Sequence, residues 1–446
     1  MSFSAADLLT VLRGQLPEQA TGFAVALSGG PDSSALLAAM CALRGALTGL
    51  SLRAIHVDHG LQAASQVFVT DCARLCRELD VPLTVVVTPV GTPPGGSLEA
   101  AAREARYAGL AATLAPGECL LTAHHGGDQA ETFLLQGLRG AGLKGLASMP
   151  ARRRCGAGWH IRPLLGAARA DVLRLGAYAG FPGSFDPMNA DARYDRVYLR
   201  GRVWPALVAR WPGAASGLAR AAAHAAEAQE LLNDIAAADV TDLRDGDALS
   251  LPRLRRLSGP RQINVVRCWI AGAEVRPPST VRLREALRQM FAARADQLPA
   301  MCWGEHALRR YRDRLFLTAA VPPRILAVPG WDWCAQPELD LGPRLGRLRC
   351  VERRGGLARE RLPPTLDVVR RGGGETLKPA QDAATQTVAH LCQAAGVLPW
   401  LRDALPFVVS GKELFAVGDL WLESRFRTAA TRIGVGFEWR DGPKIV

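Results

Sequence analysis

One turn constrains this 446-residue chain more than any other feature. The apolar run Phe23-Ala24-Val25-Ala26-Leu27 closes in Ser28-Gly29-Gly30-Pro31-Asp32-Ser33, and the helix-forming run Ala35-Leu36-Leu37-Ala38-Ala39-Met40 opens directly after it. So short an apolar run, bounded by glycine and proline, reads as a buried strand that turns sharply into a helix. Glycines let backbone N–H groups approach an anion, the helix N-terminus favours negative charge, and the serines add hydroxyl donors. The corner is built for phosphate. Further apolar runs at 52–58, 83–88 and 119–124 repeat the strand signal of 22–28, and helical patterns at 33–48, 63–79 and 97–115 separate them. This alternation predicts a parallel sheet with helices on both faces, whose ligands sit at the carboxyl ends of the strands.

The chain is long enough for two to four domains. We expect a first domain over 1–213, a linker helix and helical domain over 214–321, and a C-terminal α+β domain over 322–446. The first boundary follows Trp211-Pro212-Gly213, after which an Ala-rich helical stretch runs to about 238; Pro322-Pro323 marks the second. Short strands are expected at 326–328, 347–351 and 367–370, with an amphipathic helix at 384–395. The N-terminus has neither the basic start nor the long apolar stretch of an export signal, so the cytoplasm is the expected compartment. Ten cysteines are scattered without a CxxC pair, which reads as small buried hydrophobes rather than disulfides or a metal cluster. With 54 Lys+Arg against 42 Asp+Glu, the net charge is +12, a balance that suits a polyanionic partner and equally an Arg-rich genome.

Asp32 of that turn and three further clusters carry candidate chemistry. No Lys lies near the phosphate turn, unlike a Walker A loop, and Asp32 stands where it could organise Mg²⁺. The second strand ends His56-Val57-Asp58-His59-Gly60, polar groups that could meet a nucleotide or simply cap a turn. Glu99, Arg103 and Arg106 share one helix face, the pattern of a phosphate clamp and also of a solvated ladder; Arg103 has the fork a triphosphate needs. In His124-His125-Gly126-Gly127-Asp128-Gln129-Ala130-Glu131-Thr132, Asp128 and Glu131 fall on one face of a helix's first turn. Two carboxylates there could hold Mg²⁺ or an ammonium group, or answer the helix dipole, and His124 could contact phosphate or a substrate oxygen.

The turn SGGPDS resembles the PP-loop of the ATP pyrophosphatases, which cleave ATP between the α- and β-phosphates to adenylylate a substrate. With HVDHGLQ at 56–62, HHxxDQxET at 124–132, RGAGLKGL at 139–146 and DPMNADARYDRVYLR at 186–200, the chain resembles the tRNA(Ile)-lysidine synthetase family. The likeness continues through PRQINVVRCWI at 260–270, RRYRDRLFL at 309–317, RRGGGETLK at 370–378 and LPWLRDALPF at 398–407, and is weakest over 322–364. The resemblance implies an α/β fold: a Rossmann-like, parallel-sheet PP-loop ATPase domain, then a mainly helical domain and a small α+β C-terminal domain. It implies ATP and Mg²⁺ as cofactors, and free L-lysine and tRNA(Ile) with a CAU anticodon as partners. Lysine would be joined to C2 of the wobble cytidine through an adenylylated intermediate, turning AUG reading into AUA reading. Ser28, Gly29, Gly30, Pro31, Asp32, Ser33, His56 and Asp58 would bind ATP, with Asp32 on the metal. Asp32, Arg103, His124, Asp128 and Glu131 would be catalytic, Asp128 and Glu131 holding the lysine ammonium. Arg196, Arg200, Arg309, Arg310, Arg370, Arg371 and Arg402 are the candidate tRNA contacts, with Arg312 beside them.

The chain departs from the family pattern in three places: Gly127 stands where many members have Asp, Met188 where Ser is usual, and Val197 where Asn follows the Arg. Two other readings are a PP-loop tRNA thiolase, which would need catalytic or cluster-binding cysteines, and a non-catalytic tRNA-binding relative, which would have no reason to keep Asp32, Ser33 and Asp128.

Overall fold

The computed structural model describes residues 2–58, 65–88, 98–176, 194–294 and 297–444, and the chain divides into two compact units, Met1–Leu232 and Asn233–Val446. The division falls inside the long helix Ala214–Leu243, which extends past the expected Ala-rich stretch.

The first unit runs α1 (Ala5–Gln15), β1 (Gly22–Ala26), α2 (Pro31–Ala42), β2 (Ser51–Asp58), α3 (Ser65–Glu78), β3 (Leu83–Val87), α4 (Leu98–Thr113), β4 (Glu118–Leu121), α5 (Gly126–Leu138), α6 (Leu143–Leu146), β5 (Arg152–Cys155), β6 (Gly158–Ile161) and α7 (Arg169–Leu175). Its six strands lie in the order β3-β2-β1-β4-β6-β5; all neighbours pair in parallel except β5, which closes one edge antiparallel to β6. Alternation along β1 explains the two layers. Phe23 and Val25 join a core with Leu8, Leu12, Leu36, Leu37, Met40 and Leu75, whereas Ala24 faces Ile55, Leu110, Leu114 and Leu120 on the other side. The strands are therefore apolar on both faces, as the sequence runs require.

Strand order also places the site. From β1 the chain passes outward to β2 and β3 on one side, then returns to lay β4 on the other. Connections leaving β1 and β4 diverge, and the crevice between them at the strands' carboxyl ends is where ligands of open α/β sheets bind. At the opposite, amino-terminal end of β4, Glu118, 4% exposed, accepts a forked pair of hydrogen bonds from Arg53 at 2.6 and 2.7 Å and a third from the Ala115 amide, so a buried carboxylate is matched.

In the second unit, helices Leu251–Arg256, Gly259–Gly272 and Thr280–Ala292 pack around Leu254, Val266, Ile270, Leu283 and Leu287. To these helices the segment adds a five-stranded antiparallel sheet, which helical periodicity did not disclose. Arg309-Arg310-Tyr311-Arg312 belongs to its central hairpin: strand His306–Tyr311 turns at Arg312 (φ 53°) into Arg314–Ala319. Leu308 and Leu315 supply the buried face, and the charges between them mask the alternation. The remainder carries a five-stranded and a three-stranded sheet around Trp331, Trp333, Phe415 and Phe437, a two-stranded ribbon of Thr376–Leu377 with Gln386–Thr387, and the helix Val388–Ala394. Among the described residues no helix is long and apolar enough to cross a membrane.

Candidate active site at the switch point of the sheet

The turn after β1 is held by its own side chains. The Ser28 amide donates to Ser33 Oγ at 3.2 Å, the Gly30 amide to Ser28 Oγ at 3.4 Å, and the Ser33 and Ser34 hydroxyls donate to the Gly30 carbonyl at 3.0 and 3.1 Å. Gly29 adopts φ +80°, and a Cβ there would lie 3.0 Å from the Phe68 ring, so glycine is required by conformation and by space. Pro31 opens α2 at a position whose missing N–H costs nothing. Asp32, in the first turn, accepts from Arg169 Nε and Nη2 at 3.2 and 3.3 Å. His56 is buried, its Nδ1 2.8 Å from the Leu27 carbonyl, and so braces the strand end beneath the turn. Asp58 ends β2, partly buried. His59 to Gln62 lie outside the described residues, as do Met188 and the rest of 177–193.

The second wall begins after β4. His125 caps α5, its Nδ1 accepting from the Gly127 and Asp128 amides, while Asp128 Oδ2 accepts from the His125 amide at 3.0 Å. A Cβ at position 127 would stand 2.9 Å from the His125 ring, so Gly127 leaves the ring free to fold back over the helix start. This reciprocal cap fixes Asp128, and one turn on Glu131 lies beside it, 4% exposed.

Both carboxylates are already met by guanidinium groups. Arg196 donates to Glu131 at 2.9 Å and to Asp128 at 3.0 Å; Arg200 donates to Glu131 at 2.8 and 2.9 Å and to Asp128 at 3.2 Å. Arg196 lies in the short helix Asp195–Tyr198 and Arg200 in the wide turn of helix that follows, at a spacing of four that presents both to α5. Burial opposes the Asp128 charge, but His125, Arg196 and the His125 amide outweigh it and hold the carboxyl below its usual range. The Glu131 hydrogen bond, first among its causes, holds Arg200 above the usual guanidinium range.

His124 lies between the two walls, its Nδ1 2.8 Å from Thr122 Oγ1. Burial, with Arg162, Arg103 and Arg196 nearby, pushes the ring down to about 3 against the pull of Asp128, so it is neutral at physiological pH. Arg103 sits over the Tyr107 ring at 5.1 Å; the side chain of Glu99 lies outside the described residues.

The basic residues expected in the later domains differ in what they touch. Arg309 donates to Thr318 Oγ1 and the Ala320 carbonyl, and Arg310 to the Arg312, Met290 and Ala293 carbonyls, tying off the helix Thr280–Ala292. Arg402 reaches the Val397 carbonyl at 3.3 Å, whereas Arg370 is exposed and Arg371 half-buried. Sequence reasoning missed Arg169, Thr122, His160 and Arg162, and the exposed edge strand Arg152-Arg153-Arg154, where Arg152 and Arg154 flank the Trp159 ring at 5.0 and 3.9 Å. The triple arginine before Cys155 was a visible signal; the others had no local one.

A glycine-serine turn at a helix start, facing a capped carboxylate pair across the switch point of a parallel sheet, defines a nucleotide-activating PP-loop domain. Residues 5–207 match the family model of the PP-loop domain, 249–316 the TilS substrate binding domain, and 366–439 the TilS substrate C-terminal domain. The chain belongs to the tRNA(Ile)-lysidine synthase family. It is 40% identical over 408 residues to the tRNA(Ile)-lysidine synthase of Alkalilimnicola ehrlichii, covering 91% of each chain. With that of Methylococcus capsulatus it shares 38% identity over 425 residues, 94% of this chain and 96% of the relative, and with that of Pseudomonas aeruginosa 40%, covering 90% of each.

Proposed function

We propose that this chain joins free L-lysine to C2 of the wobble cytidine of tRNA(Ile) bearing a CAU anticodon, using ATP and forming lysidine. The observation that carries the reading is the meeting, at one crevice, of a phosphate turn on α2 and a carboxylate pair on α5. The relatives' shared name gives the crevice its substrates.

Cytosine C2 resists an amine because its oxygen is a poor leaving group. In the first step O2 attacks the α-phosphorus of ATP, the bond to the bridging oxygen breaks, and pyrophosphate leaves. In the second, the lysine ε-amine attacks C2, the C2–O2 bond breaks, AMP departs with that oxygen, and the amine loses its proton. Both steps depend on positioning and charge neutralisation. Backbone N–H groups of the Ser28–Ser33 turn would cradle phosphate, and Arg103 and His124 would face the developing charge. Asp32, a part-exposed carboxylate at the helix start that Arg169 now engages, would hold Mg²⁺, which would supply charge neutralisation at the phosphates. Asp128 and Glu131 would hold the lysine ammonium, which must share them with Arg196 and Arg200 or displace one. The basic surplus, with exposed Arg370 beside Arg371, suits a tRNA backbone. A cytoplasmic setting fits these substrates.

A thiolase reading meets a physical objection. Cys72, packed against the turn, has its thiol pushed up to about 12, chiefly by burial, which disfavours the thiolate. No cluster of three or more potential metal-ligating side chains occurs among the described residues. Incubation with ATP, Mg²⁺, radiolabelled lysine and a CAU-anticodon tRNA(Ile) transcript should place label in RNA and release AMP and pyrophosphate. Folded protein that leaves the RNA unlabelled would overturn the assignment.

A further inference from the structure

Behind His124 lies a buried chain of polar groups that the reaction as written does not use. Thr122 Oγ1 is 2.8 Å from His124 Nδ1 and 2.8 Å from His160 Nε2, and His160 Nδ1 is 3.2 Å from Arg162 Nη2. Thr122, His160 and Arg162 are 7%, 0% and 3% exposed. Arg162 is anchored by a 2.7 Å hydrogen bond from Nη1 to the Pro150 carbonyl, and its Nε has no partner among the described residues. A guanidinium buried among rings and carbonyls, with no carboxylate bonded to it, is a costly thing for a core to keep.

We infer that Thr122, His160 and Arg162 are positioning residues that fix His124 as the tautomer carrying its proton on Nε2. Donors and acceptors between these side chains match in one arrangement. Arg162 can only donate, so His160 Nδ1 must be a lone pair. Burial, aided by Arg162, pushes the His160 ring down to about 2; it is neutral, and its one proton is therefore on Nε2, donated to Thr122 Oγ1. The Thr122 hydroxyl has two partners among the described residues, the two rings. Having accepted from His160, it places its own proton on the His124 Nδ1 lone pair. A neutral His124 then carries its hydrogen on Nε2, on the edge away from Thr122, where it makes no hydrogen bond with the described residues. Arginine at the far end thus sets a hydrogen-bond donor at the near end, three side chains away. The inference rests on the proposed reading in one respect: the acceptor for that donor is an oxygen of the reacting α-phosphate.

The tautomer is measurable without substrate. In protein labelled with ¹⁵N-histidine, long-range ¹H–¹⁵N correlation, with the His124 ring assigned by its loss in His124→Gln, should show protonated Nε2 and bare Nδ1. Thr122→Val keeps the volume and removes the relay, so His124 should become a mixture of tautomers. Single-turnover pyrophosphate release should fall in proportion to the Nε2–H population lost, about two- to fivefold for a mixture, while lysine KM stays put. Thr122→Ser should restore the single tautomer and most of the rate. A wild-type His124 protonated on Nδ1, or a Thr122→Val enzyme with one tautomer and full rate, overturns the relay. A protein that shows the Nε2–H tautomer yet transfers no lysine leaves the relay standing and overturns the function.

Discussion

Arg196 bridges Asp128 and Glu131, donating to the two carboxylates at 3.0 and 2.9 Å, so two groups one helical turn apart are bound into a single anionic seat by one guanidinium. Arg200 adds a second. Two negative and two positive charges balance before any substrate ammonium arrives.

That balance sets the first prediction. Arg200 is the more exposed of the two, at 51% of its side chain against 24%. Arg200→Ala should leave the seat net negative and lower the lysine Kd by up to about fivefold, the scale of a half-exposed ion pair. Lysine titration by calorimetry in the absence of tRNA checks this directly. A weaker lysine affinity would instead make Arg200 part of the lysine site.

Asp128→Asn keeps an oxygen to accept from the His125 amide and removes the charge. Lysine KM should rise roughly 10- to 100-fold, as expected for a lost charged hydrogen bond, with pyrophosphate release little changed. Collapse of ATP affinity with unaltered lysine saturation would move Asp128 from the ammonium to the metal.

Stability should depend on two rings beside the site. His124 and His160 are neutral in the folded chain, pushed down to about 3 and about 2 from an ordinary 6.5, in each case chiefly by burial. Below pH 6.5 the unfolded chain takes up protons that the folded chain refuses, so stability falls as pH falls, by up to about 1.4 kcal/mol per pH unit for each ring. Their contribution is complete above 6.5 and diminishes towards 3. Urea unfolding at pH 7 and pH 5 measures it, and His160→Gln should show the shallower slope. Equal slopes would mean that His160 charges in the native state.

Gly29→Ala tests the phosphate turn. Its φ of +80° costs a side-chain-bearing residue about 1–2 kcal/mol, and the new Cβ would press on Phe68 at 3.0 Å. Nucleotide titration should show weakened ATP binding with the fold retained by circular dichroism; undiminished affinity would place the phosphates elsewhere.

Much of the first unit was readable from local pattern. The strands beginning near 22, 52, 83 and 119 and the helices between them lie where apolar runs and helical spacing put them, because each buried strand needs several consecutive apolar residues and each helix a stripe. The hairpin through Arg309 to Arg314 is hidden in the sequence by its charges, and each of its four arginines donates to a backbone carbonyl. Exposure is a property of neighbours, and neighbours on a sheet come from other strands.

By itself the sequence determined the strand-turn-helix corner, the i, i+3 placement of Asp128 and Glu131, and the family. These depend on spacing over a few residues, where helix and strand geometry leave little freedom. Only the tertiary structure decided that Arg196 meets Glu131 across 65 residues, that Arg169 meets Asp32 across 137, and that His160 stands behind Thr122 across 38. The last exists because β4 lies beside β6 and the others because helices pack across the sheet's end, and an order of strands is chosen by the packing of the whole sheet rather than by any segment within it.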